Sequence, residues 1–238
     1  MEAQQQQNQE KQQTPQPQYQ ITCKGKEYLD RTAQVLTDAF LGDPVYTWLL
    51  CDFPLEDQKP VLYKLLRSFF TAGSLNHGMF IEVDNFGSCG LLMPPGCKVD
   101  NPLTLIPAGL ISALFTIGIG GCKRAVFEYG TATHAMMPKV LTKAEQDKHW
   151  YVFIMGTAVD RRKQGLAGAL LRYMQDCARS DGRVLWLEAT TEYSRDLYSK
   201  HGFTTVGEVV LGKGQVGPGG LPKKGGEGVT IWSMYWRP

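Results

Sequence analysis

The stretch from Trp150 to Ala189 constrains the fold more than any other part of the chain. It contains two apolar runs, WYVFIMGTAV (150–159) and VLWLEA (184–189), separated by a helical pattern, GLAGALLRYMQDCARSDG (165–182). The order predicts a buried strand, a crossover helix and a second buried strand, which makes the two strands parallel neighbours in one sheet. A glycine inside the first strand, Gly156, predicts a β-bulge at that position.

The turn before this helix places cations where helices disfavour them. Three consecutive basic residues (161–163) precede a helix N-terminus that already carries about half a positive charge and unpaired N–H groups. Gly165, Ala167 and Gly168 are small enough to let a ligand approach the backbone. The pattern predicts a site for a phosphorylated anion. Close packing of the helix on a strand, with the basic side chains in water, is the alternative.

Patterns on either side of this unit complete a mixed α/β chain. Helices are predicted at about 28–41, 55–70 and 194–202, a hairpin at 79–83 and 88–96, and two closing strands at 203–211 and 229–236. We therefore expect a mixed sheet with helices on its faces, in a single domain of residues 21–238.

Two segments have unusual composition. Residues 1–20 are half glutamine and predict a disordered tail, with association through the glutamine tract as the alternative. The glycine-rich segment 212–228 predicts a flexible loop between the last two strands. Its GKGQVG (212–217) satisfies G-x-G-x-x-G, but no helix can follow it, so we do not interpret it as a dinucleotide site.

The segment 101–122 contains no charged residue and is long enough for a membrane span. Pro107 and four glycines weaken that interpretation. We expect no span, and predict a helix that is buried against the sheet or lines an apolar pocket.

Composition argues against several classes of function. The net charge of +2 is too small to predict nucleic-acid binding. The six cysteines form no C-x-x-C pair and the four histidines no metal-binding spacing, so we expect reduced thiols and no metal. No secretory signal pattern is present at the start of the sequence, and a cytoplasmic location is expected.

Three motifs in register resemble the GCN5-related N-acetyltransferase (GNAT) superfamily. RKQGLA (162–167) matches Q/R-x-x-G-x-G/A, the loop that holds the pyrophosphate of acetyl-coenzyme A in that family. LWLEATTEYSRDLYSKHGF and IWSMYW follow in the family's order, and the set is most similar to the puromycin N-acetyltransferase branch. The resemblance covers 149–211 and 229–236. It implies the GNAT fold, a mixed, mostly antiparallel sheet with a splayed parallel central pair, and a cofactor-binding core at 149–211.

The resemblance also implies site residues. Tyr198 stands where the family places a tyrosine near the coenzyme sulfur, and a phenol that is protonated at neutral pH can act as the general acid. Thr191 replaces an asparagine found in many relatives. Residues implied to bind acetyl-coenzyme A are Val159, Arg162, Lys163, Gln164, Gly165, Leu166, Ala167, Gly168, Thr191 and Tyr198.

Acetyl transfer also requires a base for the amine. Glu188, at the end of a strand on the expected acceptor side, is the first candidate for this base, and Glu128 is the second. Carboxylates in such places are often structural ion-pair partners instead. His134 and His149 are further candidates without a specific signal.

The predicted function is transfer of the acetyl group of acetyl-coenzyme A to an amine of a small molecule, such as a toxin, antibiotic or xenobiotic, by direct attack in a ternary complex. A protein or peptide N-acetyltransferase and a non-catalytic acyl-coenzyme A binding module are the alternatives. The sequence leaves the oligomeric state open.

Overall fold

A seven-stranded sheet forms the centre of the molecule. The structure is a computed structural model that describes residues 19–238. Its strands are β1 (Ile21–Lys24), β2 (Met79–Val83), β3 (Ser88–Met93), β4 (Trp150–Thr157), β5 (Leu185–Ala189), β6 (Thr204–Leu211) and β7 (Val229–Trp236). They are ordered β1-β2-β3-β4-β5-β7-β6, and every neighbouring pair is antiparallel except β4–β5. This confirms the predicted fold class.

Helices cover both faces of the sheet. They are α1 (Leu29–Phe40), α2 (Pro44–Leu49), α3 (Leu55–Leu75), α4 (Leu110–Cys122), α5 (Gly130–His134), α6 (Lys143–Asp147), α7 (Leu166–Ser180) and α8 (Glu192–Lys200). Buried side chains of α1 to α4 form one core, and those of α7 and α8 form a second on the opposite face. Alternation along β5 places Trp186 in the first core and Leu185 and Leu187 in the second.

The parallel pair separates soon after it begins. Its ladder consists of Trp150 opposite Leu185 and Tyr151 opposite Trp186. Beyond these pairs β4 and β5 diverge, so the sheet has an opening at the carboxyl ends of its two central strands.

The bulge in β4 is at Phe153, so the prediction of Gly156 was wrong. In the ladder with β3, the pairing on β4 passes from Val152 to Ile154 and leaves Phe153 as the extra residue. Gly156 is required for packing instead: a Cβ there would lie 2.9 Å from the Leu36 side chain. Helix α1 therefore approaches the strand more closely than a larger residue would allow.

The uncharged segment 101–122 supplies α4, which is buried on one side only. Its buried residues, Leu110, Ala113, Ile117 and Gly121, lie on the side that packs with α3, and large apolar side chains on other sides are exposed. The expectation of a helix buried against the sheet was therefore wrong, because α3 lies between.

The longer helical stretch Leu110–Lys139 has the length and composition of a membrane-spanning helix, and 22% of its most apolar window is buried. Gly118, at φ 71° and ψ 176°, interrupts the helix within that stretch.

Both segments of unusual composition can be placed in part. The tail predicted at 1–20 lies outside the described residues except for Tyr19 and Gln20. The Tyr19 hydroxyl donates a 2.7 Å hydrogen bond to the Gln164 carbonyl, and the Gln20 N–H donates to Asp84 Oδ1 at 2.9 Å. These contacts tie both residues to the main body of the fold.

The loop 212–228 folds back on itself in tight turns. Val216 is buried and pairs with Pro222 through an isolated bridge. Gly220 contacts the backbone of Pro44 and Trp48 so closely that no Cβ fits there. The loop thus packs on α2, and its flexibility stays a prediction.

Candidate active site

A cavity of about 1000 Å³ occupies the opening between β4 and β5. Residues of α7 and α8 line it on one face of the sheet. Residues of the α1–α2 junction and of the segment 125–137 line it on the other. The cavity therefore connects the two faces through the gap in the sheet.

The N-terminus of α7 presents free backbone donors to this cavity. Gly165 is the N-cap residue at φ 78°, and no side chain caps the helix, so the N–H groups of the first turn have no helical partner. Lys163 is also left-handed, at φ 62°. A Cβ on Gly165 would lie 2.6 Å from the Tyr19 hydroxyl. All residues of 161–168 line the cavity, so most of the predicted cofactor-binding residues lie together.

The basic side chains before α7 are held beside these amides. The Arg161 Nε donates to Gln164 Oε1 at 2.9 Å, and the Arg162 guanidinium donates to the Ala39 carbonyl at 3.1 Å. A neutral carbonyl does not cancel the charge of Arg162. Open amides, a helix dipole and adjacent cations form the donor set that suits a diphosphate.

Tyr198 lies on α8 and lines the same cavity. Burial raises the pKa of its phenol, and the nearby carboxyl of Asp43 raises this pKa further. The phenol therefore stays protonated at physiological pH and can donate a proton, as the general-acid role requires.

Asp43 is a cavity residue that the sequence analysis missed. It is the N-cap of α2: its Oδ1 accepts from the N–H of Val45 at 2.9 Å and of Tyr46 at 3.4 Å. Its Oδ2 accepts from the Thr190 hydroxyl at 2.6 Å. Burial outweighs these hydrogen bonds and raises the carboxyl pKa to about 6. The sequence signal was an aspartate before a proline, which is typical of a helix start.

Glu188 also lines the cavity, on the side of α1 and α2. Its oxygens accept from the Tyr151 hydroxyl at 2.7 Å and from Trp186 Nε1 at 2.7 Å. Burial raises the pKa of Glu188, and these hydrogen bonds oppose the rise.

Tyrosines surround the two carboxyl groups. Tyr46, Tyr129 and Tyr151 all line the cavity, and burial raises the pKa of each phenol, with a further rise from the neighbouring carboxyls. We call Tyr46, Tyr129, Tyr151, Asp43 and Glu188 the acceptor chamber. Its apolar walls and two acids suit an organic cation.

Other predicted residues lie in less direct positions. Thr191 lines the cavity, but its hydroxyl is the N-cap acceptor of α8 and receives the Ser194 N–H at 3.1 Å. Val159 is in the 3₁₀ turn after β4, is exposed, and is outside the cavity lining. Glu128 is likewise outside the lining.

The two candidate histidines, His134 and His149, both line the cavity. In each, the ring Nδ1 lies within hydrogen-bond distance of a backbone carbonyl oxygen. His134 Nδ1 is 2.7 Å from the Gly130 oxygen, and His149 Nδ1 is 3.0 Å from the Gln146 oxygen. Burial lowers the pKa of His149. Within residues 19–238 no cluster of three or more His, Cys, Asp or Glu side chains could hold a metal ion.

Comparison with known proteins shows similarity to N-acetyltransferases. Residues 124–203 match the acetyltransferase (GNAT) family. The chain is 26% identical, over 73% of its length and 69% of the relative's, to an uncharacterized N-acetyltransferase of Schizosaccharomyces pombe.

Solved acetyltransferases share the fold across nearly the whole chain. A Corynebacterium glutamicum structure described as histone acetyltransferase HPA2 and related acetyltransferase has a TM-score of 0.54 at 20% identity, covering 92% of this chain and 96% of that one. The Drosophila melanogaster polyamine N-acetyltransferase has a TM-score of 0.57 at 11% identity, covering 92% and 100%. Arylalkylamine N-acetyltransferase 2 of Aedes aegypti has a TM-score of 0.56 at 16% identity, covering 92% and 98%.

The sheet with its diverging central strands, the match of residues 124–203 to the acetyltransferase (GNAT) family and these relatives lead to one conclusion: the chain has the GNAT fold and is an acyltransferase of GNAT type.

Proposed function

We propose that this enzyme transfers the acetyl group of acetyl-coenzyme A to an amine of a small organic molecule, by direct attack in a ternary complex. One observation carries the proposal: a single cavity joins the open amides of α7 to the acceptor chamber through the gap between β4 and β5. A thioester bound at one end can meet an amine bound at the other without a covalent enzyme intermediate.

Acetyl-coenzyme A is the co-substrate used by the GNAT superfamily, and the α7 end of the cavity suits its diphosphate. The N–H groups of 165–168 supply the donors, and Arg162 and Lys163 supply positive charge. The resemblance adds two contacts along the rest of the coenzyme: Thr191, which lines the cavity, and the backbone of Val159, which lies outside the lining.

The acceptor chamber favours an amine attached to an apolar or aromatic body. Three tyrosine rings offer apolar contact and cation–π attraction, and Glu188 provides negative charge among them. Its tyrosines and acids are half-buried or buried among helices, which favours a small molecule over a peptide chain. The resemblance to the puromycin branch supports a drug-like or xenobiotic amine, and hence a detoxification role.

We infer that Asp43 removes the proton from the amine. Its pKa of about 6 makes it an anion at neutral pH and a base of useful strength, and it is close enough to Tyr198 to raise the pKa of the phenol. The amine nitrogen forms a bond to the acetyl carbon, the carbon–sulfur bond breaks, and the departing thiolate takes the Tyr198 proton. Glu188, the base expected from the sequence, already accepts two hydrogen bonds and holds the chamber wall.

The cytoplasm is the proposed compartment. The proposal rests on the thiols, because each of the six cysteines is unpaired, as is usual in a reducing compartment.

Thiol release from acetyl-coenzyme A tests the proposal. The purified full chain is assayed with arylalkylamines, polyamines, aminonucleosides and lysine or N-terminal peptides. We expect turnover with at least one small amine class and none with peptides. Turnover on peptides alone would instead assign a protein N-acetyltransferase. Binding of acetyl-coenzyme A without turnover on any acceptor would assign a binding module.

A further inference from the structure

Four of the five most exposed large apolar side chains among residues 19–238 lie in or just before α4. Leu103 is 86% exposed, Ile106 74%, Phe115 81% and Ile119 91%, and Ile111 is also exposed. We call these five residues the α4 apolar surface. Large contiguous apolar surfaces are rare on soluble proteins and mark contact with a partner or a lipid.

Neither the core nor the active site explains this surface. The buried residues of α4 already pack with α3, and no residue of 101–122 lines the cavity. The exposed side chains of the α4 apolar surface therefore make no contact within residues 19–238 that explains why they are apolar.

Charges at the border of the surface are mainly positive or neutralised, with the exposed Asp100 next to Lys98 as the exception. The segment 101–122 has no charged residue, and the exposed Lys123 follows it. From α3, the Lys64 Nζ donates a 2.6 Å hydrogen bond to Thr116 Oγ1, which holds its charge against α4. Asp52 lies beside Gly120 but is paired with Arg124 at 2.6 Å. The border therefore complements a negatively charged surface.

The shape of the surface favours a deformable partner. Side chains that are 74–91% exposed protrude almost completely, so a protein partner would need a matching hole for each of them. Lipid chains adapt to any such shape, and apolar side chains beside lysines are typical of helices that lie in a membrane interface. The break at Gly118 and the packing on α3 argue against α4 crossing the bilayer.

We propose that the α4 apolar surface docks this enzyme onto an anionic lipid membrane, with its apolar side chains inserted at the level of the lipid headgroups and Lys64 and Lys123 facing the negative charge. Docking brings the substrate cavity close to the membrane, because the segment 125–137, which follows α4 directly, lines the cavity on the side of the acceptor chamber.

Co-sedimentation of the purified full chain with vesicles tests this docking. One vesicle set is phosphatidylcholine, and the other is equal parts phosphatidylcholine and phosphatidylserine. We expect binding to the mixed vesicles that weakens with salt. A Phe115→Glu, Ile119→Glu double variant should bind at least about ten-fold more weakly to both sets. Lys64→Ala with Lys123→Ala should lose about five-fold per lysine on the mixed vesicles only.

Val210→Glu is the matched control, since Val210 is an exposed apolar residue on β6, away from α4. It should bind vesicles as the parent does. Acetyl-coenzyme A affinity and melting temperature, measured on every variant, verify that each is folded.

Three results would overturn the proposal. The first is no vesicle binding by the folded parent, and the second is binding that the Phe115 and Ile119 changes leave intact. The third is a dimer in light scattering that these changes dissociate, because a second copy would then cover the surface.

Discussion

The hydroxyl of Thr190 donates a 2.6 Å hydrogen bond to Oδ2 of Asp43, which joins the end of β5 to the N-terminus of α2 across 147 residues of sequence. The other carboxylate oxygen of Asp43 is held by the first N–H groups of α2. These contacts orient the carboxyl at the cavity next to the strand end that leads to α8 and Tyr198. An oriented, partly desolvated carboxylate is suited to proton transfer.

Replacing Asp43 with asparagine should remove the acidic limb of the pH–rate profile. In the parent, kcat/KM should fall as the pH drops below about 6, because the base becomes protonated. Asp43→Asn should lower kcat by about 100-fold or more at pH 7 and abolish that limb. Glu188→Gln is the comparison variant: if it abolishes the limb while Asp43→Asn keeps it, Glu188 is the base.

The same substitution should change how stability depends on pH. The folded pKa of about 6 exceeds the ordinary value of 3.8, so folding takes up a proton between these pH values. Asp43 thus does not disfavour the folded state below about pH 4, disfavours it increasingly as the pH rises from about 4 to about 6, and does so by a constant amount above that. In the Asp43→Asn variant the asparagine side chain can still cap α2 but has no charge to bury.

Urea unfolding at pH 5 and pH 7.5 measures this effect. Between these pH values the free energy of unfolding of the parent should fall by about 1.4 kcal/mol more than that of Asp43→Asn, which corresponds to about one pKa unit. Equal pH dependence of the two proteins would show that the Asp43 carboxyl is not desolvated.

Gly165→Leu should weaken acetyl-coenzyme A binding by about ten-fold or more. A side chain at this left-handed N-cap position would strain the backbone next to the α7 amides, and its Cβ would lie 2.6 Å from the Tyr19 hydroxyl. Gly182→Leu is the matched control, because Gly182 follows α7, is also left-handed at φ 62°, and has open space around its Cβ position. Calorimetric titration should show loss of affinity for the first variant only. Equal affinity of both would refute the diphosphate site.

Tyr198→Phe should lower kcat by about 100-fold while leaving the dissociation constant for acetyl-coenzyme A within about two-fold. The ring still fills its buried place, and only the proton donor is lost. Tyr173→Phe, on α7 and outside the cavity lining, is the control. Full activity of Tyr198→Phe in a thiol-release assay would assign protonation of the thiolate to another group or to water.

Tyr151→Phe should raise KM for the amine more than it lowers kcat. The change removes the 2.7 Å hydrogen bond to Glu188 and leaves one buried carboxylate oxygen without its donor, which should also cost about 1–3 kcal/mol of stability. Steady-state kinetics with varied amine, together with thermal melting, measure both effects. An unchanged KM for the amine would show that the Glu188 side of the chamber does not bind the acceptor.

Local patterns were sufficient for much of the fold and for one end of the site. The strands at 79–83, 150–157, 185–189 and 229–236 and the helices at 29–40, 166–180 and 192–200 agree with their predictions to within about three residues. Strand β1 (Ile21–Lys24) was not predicted, because four residues carry too little periodicity, and pairing with β2 decides it.

Most residues of the acceptor chamber could not be predicted from local sequence patterns. Asp43, Tyr46, Tyr129 and Tyr151 come from separate parts of the chain, and each has a plausible structural role in its own local sequence. Glu188 was found because it ends a strand that the pattern identified. The exposed face of α4 could not be predicted either, because the sequence of an apolar segment does not show whether its side chains are buried or exposed.

The sequence by itself determined the strand–turn–helix–strand unit and the open amides of α7, because backbone donors, glycine conformation and helix polarity depend on residues a few positions apart. Tertiary structure alone decided that β4 bulges at Phe153 and that Asp43 meets Thr190. It also decided that the apolar residues of α4 face outwards. Each of these depends on which distant surfaces pack together, and that packing is set by the whole chain.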